Sequence, residues 1–225
     1  MSGIELINVT KTYQEGEFTT TALDDVSLKV EPGEFIAIKG PSGSGKSTFL
    51  SIAGALLRPS EGEVRINDKD ISSLSEKELS QIRLSRIGFI LQTSNLLPYL
   101  NVKDQLLVVK KMSGSIKSAD RELAEELLTD IGLEAKMDKY PHQLSGGEKQ
   151  RTAIARSFMN DPSIILADEP TASLDTKRSH EVVSLIAEEV KDRNKAAVMV
   201  THDERMLTYC DRVYLIEDGR LSEEK

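Results

Sequence analysis

The sequence lacks several features that define whole classes of protein. It has one cysteine, Cys210, no tryptophan, and no apolar run approaching the roughly eighteen residues of a membrane-spanning helix. A single cysteine cannot form an internal disulfide, which favours a reducing, cytoplasmic setting. The first ten residues show no basic region followed by an apolar run, so no secretory signal is expected. Disulfide scaffolds and membrane-spanning chains are therefore excluded.

Basic residues are also in the minority. The 225 residues include 29 Lys and Arg against 37 Asp and Glu, a formal net charge of −8, and only five Phe and five Tyr. Because nucleic-acid binding relies on positive charge and on aromatic stacking, this composition argues against a nucleic-acid partner. Hydrophobic residues make up 39% and charged residues 29%, which is typical of a globular protein with an apolar core.

The apolar residues follow two different strand patterns. Residues 26–30 and 64–66 alternate apolar with polar side chains, which predicts half-buried antiparallel strands near the start of the chain. Residues 164–167 and 196–200 are apolar without alternation, which is typical of strands buried on both faces of a parallel sheet.

Helical spacing separates these strands. It is clear over residues 123–131 and 182–190, and the stretch before residue 219 predicts a terminal hairpin with an Asp-Gly turn. Alternation of helices with buried strands predicts the α/β fold class. The antiparallel segments and the helix-rich middle, roughly residues 93–160, are expected to be lobes attached to this core.

Residues 40–47, GPSGSGKS, match the pattern G-x-x-x-x-G-K-[ST]. A buried strand precedes the match, and a helical pattern from Lys46 to Leu57 follows it. In this setting backbone N–H groups and a helix N-terminus converge on phosphate, Lys46 reaches the β and γ phosphates, and the Ser47 hydroxyl binds Mg²⁺. The alternative is a Gly/Ser-rich turn without a ligand. The predicted ATP-binding residues are Gly40, Pro41, Ser42, Gly43, Ser44, Gly45, Lys46, Ser47 and Thr48.

Two carboxylates, Asp168 and Glu169, follow the apolar run 164–167, at the strand end where open α/β sheets bind ligands. Asp168 is predicted to hold Mg²⁺, directly or through water. Glu169 is predicted to orient or deprotonate the attacking water. Because neighbouring residues of a strand point in opposite directions, two separate roles are expected. A strand that simply ends at polar residues is the alternative.

A second helix start comes from the sequence LSGGE. Ser145 and Glu148 have the spacing of a capping box, and Gly146 and Gly147 expose backbone N–H groups to an anion. A capped helix without a ligand is the alternative. A second anion site in a chain with one phosphate loop is explained if two copies form a symmetric dimer, in which each Ser145 loop closes the nucleotide held by the partner.

The order of these motifs resembles the ATPase subunits of ABC transporters, over nearly the whole chain. The resemblance implies a P-loop NTPase (RecA-like) core with an N-terminal antiparallel β subdomain and a helical subdomain, in a single ABC ATPase domain spanning residues 1–225. It also implies ATP and Mg²⁺ as ligands, and a head-to-tail dimer.

Further roles come only from this resemblance. It implies that Tyr13 stacks on adenine, that Gln92 senses Mg²⁺ and the membrane partner, that Ser173, Leu174 and Asp175 connect the two sites of the dimer, and that His202 contacts the γ-phosphate. Taken singly, Tyr13 is typical of packing, Gln92 of a surface and His202 of a structural histidine. The implied catalytic set is Glu169, His202, Lys46 and Gln92, and the implied metal set is Ser47, Gln92 and Asp168.

Other segments are similar to one branch of the family. GEFIAIKGPSGSGKST and ILADEPTASLD resemble macrolide and lipoprotein exporters, which pair with permeases of four transmembrane helices. NLLPYLNVKDQL and YPHQLSGGEKQR are most similar to bacterial haem-efflux ATPases. The resemblance implies export through a separate permease, from the cytoplasmic face of the membrane. Lipoprotein, macrolide or antimicrobial peptide remain alternative cargoes.

Some assignments stay open at this stage. A soluble ABC-type ATPase acting on DNA or ribosomes is one rival, although the chain has a single phosphate loop and no long heptad insertion. A P-loop kinase is another, but it leaves LSGGE unexplained. The apolar cluster 96–100 predicts either core packing or a groove for a membrane subunit. His142 and His180 are expected to be structural.

Overall fold

The computed structural model describes residues 3–16, 18–172 and 174–224. These residues form the strands β1 (Ile4–Glu15), β2 (Phe18–Val30), β3 (Phe35–Lys39), β4 (Glu61–Ile66), β5 (Lys69–Asp70), β6 (Ile87–Ile90), β7 (Ile164–Asp168), β8 (Ala196–Val200), β9 (Arg212–Glu217) and β10 (Arg220–Glu223). The helices are α1 (Lys46–Ala53), α2 (Glu76–Arg86), α3 (Val102–Ser113), α4 (Ser118–Asp130), α5 (Gly146–Phe158) and α6 (Thr176–Asp192). Short 3₁₀ helices lie at Glu134–Lys136, Pro141–Gln143 and Glu204–Tyr209.

The central sheet has six strands in the order β10-β9-β3-β8-β7-β6. Strands β6, β7, β8, β3 and β9 run parallel, and β10 pairs antiparallel with β9 at one edge. All five residues of β8 are buried. The prediction of strands buried on both faces of a parallel sheet is confirmed, because helices or the second sheet cover each face.

The second sheet is antiparallel, in the order β2-β1-β4-β5. Its register places Val64 opposite Leu6 and Ile66 opposite Ile4, and all four side chains are buried. The alternation seen in the sequence therefore marks the face that packs on the core, as predicted.

Two apolar clusters cover the two faces of the central sheet. On one face, Phe35 and Ala37 of β3 join the apolar residues of α3, α4, α5 and α6. On the other face, Ile36 and Ile38 join α1 and the antiparallel sheet. Because alternate residues of β3 point to opposite faces of the central sheet, this one strand contacts helices α3 to α6 on one side and α1 with the antiparallel sheet on the other.

Helix α1 is shorter than the predicted helix, which extended to Leu57. It ends at Ala53, and Gly54 forms the C-cap, with its N–H bonded to the carbonyl of Leu50. A Cβ on Gly54 would lie 2.3 Å from Cζ of Phe89, and Ala55 adopts a positive φ of 55°. The Phe89 ring lies close to Gly54, and the backbone enters the left-handed conformation at Ala55. The helix therefore ends one turn earlier than predicted, and the hydrophobic pattern of the sequence does not indicate this end.

The terminal hairpin forms as predicted. Its turn residues Asp218 and Gly219 have φ values of 49° and 78°, the two left-handed conformations of a type I′ turn. The cluster 96–100 belongs only in part to the core, since Leu96 packs on the core whereas Tyr99 is 71% exposed. No helix within the described ranges is long and apolar enough to cross a membrane.

The candidate site lies where strand ends meet. Strands β3, β7 and β8 are adjacent and parallel, so the residues that follow them emerge at one edge of the sheet. The phosphate loop follows β3, Glu169 follows β7, and Thr201 and His202 follow β8. This convergence at carboxyl ends is the usual place for ligands in open α/β sheets.

Candidate nucleotide-binding site

The phosphate loop connects β3 to the start of α1. Gly45, the N-cap of α1, has φ of 111°, and a Cβ there would lie 2.4 Å from the carbonyl oxygen of Ala22. Only glycine fits this position, because both the backbone conformation and the space exclude a side chain. The N-terminus of α1 consequently opens toward the loop, with partial positive charge suited to an anion.

Lys46 lies inside this loop. Its Nζ donates hydrogen bonds to the carbonyl oxygens of Gly40, at 2.7 Å, and of Pro41, at 2.5 Å. The ammonium group is thus held by the loop backbone, at the place where the sequence predicted a phosphate contact. These carbonyls keep the Lys46 charge in position until a stronger acceptor is present.

Glu169 does not continue strand β7. Its φ is 46°, in the left-handed region, and its N–H donates to the carbonyl of Val200 at 2.9 Å. The turn sends the Glu169 carboxylate to His202, whose Nδ1 lies 2.8 Å from Oε1. Glu169 thus leaves the strand through a turn and contacts His202, whereas the prediction of separate roles for Asp168 and Glu169 rested on strand alternation. A left-handed non-glycine residue is strained, and such strain is common at functional sites.

Asp168 lies at the end of β7 and is partly buried. Burial raises the pKa of its carboxyl group, and the nearby Glu169 charge raises it further, whereas Lys46 lowers it. An ionised Asp168 thus lacks sufficient compensating charge in the ligand-free protein. A cation bound beside it would supply that compensation.

A cavity of about 420 Å³ lies between the loop and the strand ends. Its lining combines most of the predicted ATP-binding residues with three of the four predicted catalytic residues, Lys46 belonging to both sets: Ala22, Gly40, Ser42, Gly43, Gly45, Lys46, Ser47, Thr48, Glu169 and His202. The remaining predicted residues Pro41, Ser44, Tyr13, Gln92 and Asp168 lie outside this lining. Ala22 is a lining residue that the sequence did not reveal, since an alanine in a strand carries no chemical signal.

The LSGGE segment forms the predicted capped helix start. The Ser145 Oγ accepts from the N–H of Glu148, and the Glu148 carboxylate accepts from the N–H of Ser145 at 2.7 Å. The hydrogen bond from the Ser145 N–H lowers the pKa of the Glu148 carboxyl group, and the Ser145 side chain and Lys136 lower it further, against the opposing effect of burial. Ser145 and Gly146 are exposed and do not line the cavity of their own chain.

Helix α5 also anchors the segment that carries Gln92. The buried Gln150 side chain donates to the carbonyl of Leu91 at 3.1 Å, and Arg156 donates to the carbonyls of Ser94 and Asn95. Gln92 itself is exposed. The sequence did not indicate Gln150 or Arg156, because their partners are backbone atoms about sixty residues away.

The other predicted positions are each found in a definite setting. Tyr13 is 39% exposed, with the Lys11 Nζ 5.4 Å from its ring centre, so it is not a simple packing residue. Leu174 packs against the core, and the Asp175 side chain caps α6 by accepting from the N–H of Arg178. Ser173 lies outside the described residues.

The two remaining histidines contact aromatic rings. The His142 ring stacks on Tyr140, with centroids 6.1 Å apart. His180 Nδ1 lies 3.0 Å from the hydroxyl of Tyr209, a partner that the sequence did not suggest. Neither ring lines the cavity.

The oxygen ligands near the cavity suit Mg²⁺. Ser47 provides a hydroxyl and Asp168 a carboxylate, the hard ligands that Mg²⁺ prefers. In the part of the chain that the structure describes, no three His, Cys, Asp or Glu side chains come together as a metal cluster. Mg²⁺ in nucleotide sites is usually bound by one or two protein groups, together with substrate phosphates and water.

Comparison with known proteins identifies the family. The model of the family described as "ABC transporter" matches residues 23–172, which include the phosphate loop, the LSGGE segment and the acidic strand. The chain belongs to the ABC transporter family. The resemblance inferred from the motifs is confirmed, and the chain is an ATP-binding subunit that couples ATP hydrolysis to transport.

Curated relatives match over nearly their full length. A protein of Staphylococcus haemolyticus named "Putative hemin import ATP-binding protein HrtA" is 48% identical over 218 residues, covering 97% of this chain and 98% of its own. A protein of the same name from Staphylococcus aureus strain USA300 is 46% identical over 216 residues, covering 96% and 97%. The names of both relatives refer to hemin, which confirms the predicted similarity to haem-transport ATPases.

Solved structures share the fold. The ATP-binding cassette MJ0796, described as a dimeric post-hydrolysis state bound to ADP and Pi, has a TM-score of 0.85 at 42% identity and covers 99% of this chain and 98% of its own. CbiO1 from Clostridium perfringens, described as part of the ABC transporter complex cbiONQ, has a TM-score of 0.87 at 29% identity, covering 98% and 87%. The predicted fold class is confirmed, with its P-loop NTPase core and antiparallel β subdomain.

Proposed function

We propose that this ATPase hydrolyses ATP in a head-to-tail dimer and powers haem export through a separate membrane permease. The observation that carries the ATPase site is the cavity in which the phosphate loop faces Glu169 and His202. Ser145 and Gly146 of the LSGGE loop are exposed and lie outside the cavity of their own subunit, which leaves them available to close the nucleotide of the partner. The structure of the MJ0796 cassette, which is described as dimeric, supports this arrangement.

In this proposal each candidate site residue of one chain has a separate role. The Lys46 ammonium exchanges the carbonyls of Gly40 and Pro41 for the β and γ phosphate oxygens. Glu169 leaves its bond with His202 and accepts a hydrogen bond from the attacking water, while His202 turns toward the γ-phosphate. Tyr13 provides an exposed ring for adenine. Glu148, through its capping box, holds the loop that covers the partner's nucleotide.

Mg²⁺ fits the Ser47 hydroxyl and the Asp168 carboxylate, with Gln92 as a further oxygen ligand. When bound, it would neutralise charge on the phosphates of ATP. The dimer contacts would include Leu174 and Asp175.

A helical subdomain of about residues 93–160, containing α3, α4 and α5, is part of the same proposal, within one domain that spans residues 1–225. It presents Tyr99 and Met112, which are 71% and 70% exposed, and Leu91 lies nearby in sequence at 40%. Exposed apolar side chains of this kind are typical of a protein interface. They support contact with a permease, at which the chain would sit peripherally on the cytoplasmic face of the membrane.

Glu169→Gln tests the composite ATPase site. The neutral amide cannot accept a proton, so we expect hydrolysis to fall at least about a hundredfold while ATP binding is retained. Size-exclusion chromatography with ATP and Mg²⁺ should then show a stable dimer. Adding Ser145→Arg to this variant should return it to a monomer. Hydrolysis at the parent rate in Glu169→Gln, or a dimer that tolerates Ser145→Arg, would contradict the proposed site.

The cargo is proposed from the relatives named for hemin. Those names say import, whereas the similarity of the sequence to efflux ATPases implies export. The test is co-purification of the Glu169→Gln subunit with its permease, followed by ATP-driven haem movement in inverted membrane vesicles containing the parent pair. Haem accumulation inside the vesicles supports export. Loss of preloaded haem from the vesicles shows import, and movement of peptide or lipoprotein alone refutes haem as cargo.

A further inference from the structure

A chain of polar contacts runs through one subunit from the LSGGE loop to His202. It begins at Gly147, where a Cβ would lie 3.4 Å from Cδ of Arg178. This distance is an ordinary van der Waals contact, so the Arg178 stem lies beside the LSGGE loop at Gly147. The Arg178 guanidinium reaches back to Asp175, with Nη1 3.3 Å from Oδ2. Arg178 therefore touches both the LSGGE loop and the first turn of α6.

The contacts continue across the N-terminus of α6. Asp175 caps this helix through the N–H of Arg178, and Thr176 is its first residue. The Thr176 hydroxyl accepts a hydrogen bond from Arg205 Nη1 at 2.8 Å. Asp175 and Thr176 are adjacent in sequence, so the contacts of Arg178 and of Arg205 meet at neighbouring residues of this helix start.

The chain ends beside the candidate catalytic histidine. Arg205 holds Asp203 in a two-pronged ion pair, with Nε to Oδ1 at 2.8 Å and Nη2 to Oδ2 at 2.7 Å. The Asp203 N–H donates to the Thr201 hydroxyl at 3.0 Å, which fixes the turn containing His202. This ion pair lowers the pKa of the Asp203 carboxyl group.

The geometry of Arg205 separates it from an ordinary surface ion pair. Its side chain is 56% exposed, and single exposed pairs contribute little. Here, however, the planar guanidinium satisfies both oxygens of Asp203 and the hydroxyl of Thr176 at once, which only arginine can do. The hydrogen bond between His180 of α6 and Tyr209 of the following 3₁₀ helix joins the same two segments a second time.

We propose that Arg178 and Arg205 are positioning residues that couple the LSGGE loop of a subunit to its own His202. The inference rests on the proposed function, in which that loop closes the nucleotide of the partner. Closure there would shift Arg178 on Gly147, and the shift would pass through the first turn of α6 to Arg205. Each subunit would thereby align His202 for its own ATP when it covers the ATP of its partner.

The test is a double-mutant cycle on ATP hydrolysis. Arg178→Gln and Arg205→Gln are each expected to lower kcat about fivefold, with the KM for ATP and the melting temperature close to those of the parent. Because both variants break one connection, the double variant should also lose about fivefold, and not about twenty-fivefold. Arg65→Gln is the matched control, since Arg65 makes a similar exposed pair with Glu63 on the antiparallel sheet.

Two results would overturn the coupling. In one, the losses of the single variants multiply in the double variant. In the other, both variants behave like Arg65→Gln. Ser145→Arg, measured in parallel, separates this failure from failure of the proposed function. If Ser145→Arg is inactive, the composite site stands whatever the arginine variants show, whereas full activity of Ser145→Arg removes the composite site itself.

Discussion

At the scale of single residues, the charged side chains of the candidate site are held by hydrogen bonds within the protein. Lys46 bonds to loop carbonyls, and Glu169 bonds to His202. Each of these groups is predicted to meet a phosphate or a water, so substrate replaces contacts that already orient the side chains. Asp168 differs from Lys46 and Glu169, because its carboxyl group is partly buried and this burial raises its pKa.

Asp168→Asn should therefore stabilise the ligand-free protein at neutral or alkaline pH. A carboxyl group with a raised pKa binds its proton more tightly in the folded state, so the free energy of unfolding falls as pH rises through the interval between the unfolded and folded pKa values. Removing the charge should raise the melting temperature by about 2 °C above that interval. The gain should shrink as the pH falls and Asp168 becomes protonated.

The matched control is Asp218→Asn in the exposed Asp-Gly turn, where asparagine suits the same backbone conformation. Differential scanning calorimetry between acidic and alkaline pH measures both variants. Equal changes of melting temperature in Asp168→Asn and Asp218→Asn would show that burial of Asp168 is not the cause of the stabilisation. Asp168→Asn should also lower ATP hydrolysis at least about tenfold, because it removes an anionic metal ligand.

At the scale of secondary structure elements, two helices begin with the same device. Ser75 and Glu78 form a capping box at α2, and Ser145 and Glu148 form one at α5. In both, hydrogen bonds from the capping serine lower the pKa of the glutamate, so both contributions to stability are present at neutral pH and are lost as pH falls through the folded pKa values. Only the box at α5 lies in the loop proposed to cover a nucleotide.

Glu148→Ala and Glu78→Ala should consequently separate stability from function. Each removes one bond of a capping box, so each should lower the melting temperature by about 3 °C. ATP hydrolysis at a temperature where both variants are folded should fall only in Glu148→Ala. Equal hydrolysis in the two variants would mean that the glutamate at α5 has no role beyond starting the helix.

At the scale of the whole molecule, the helical segment is joined to the central sheet by a close contact. Gly88 of β6 lies against α5, and a Cβ there would be 2.4 Å from the carbonyl oxygen of Ser157. This contact brings α5, with the LSGGE loop at its start, onto the sheet that carries Asp168. The relative position of the two candidate half-sites therefore depends on packing at a glycine far from either of them.

Gly88→Ala should force β6 and α5 apart. Overpacking of this kind costs about 1–3 kcal/mol, which corresponds to a fall in melting temperature of roughly 3–10 °C for a chain of this size. Gly146→Ala is the control for stability, since no atom lies within 4 Å of the added Cβ. A melting temperature for Gly88→Ala equal to that of Gly146→Ala would contradict the close packing.

Much of the fold and of the candidate site could be predicted from local patterns. Alternation identified the antiparallel strand at Val64 and Ile66, and the S-x-x-E spacing identified the start of α5. The phosphate loop was clear because phosphate binding requires glycine at fixed positions beside a helix N-terminus. The end of α1 was predicted wrongly, because it depends on Phe89, a residue distant in sequence.

The sequence by itself determined the local features of the candidate site: which residues form the phosphate loop, which carboxylates end a buried strand, and which loop starts a second helix. These properties depend on neighbours within a few residues. Only the tertiary structure decided that Glu169 turns onto His202, that Ala22 lines the cavity, and that Arg205 joins Thr176 to Asp203. Such contacts join segments tens of residues apart, and their partners are fixed by the packing of strands and helices, which no local pattern encodes.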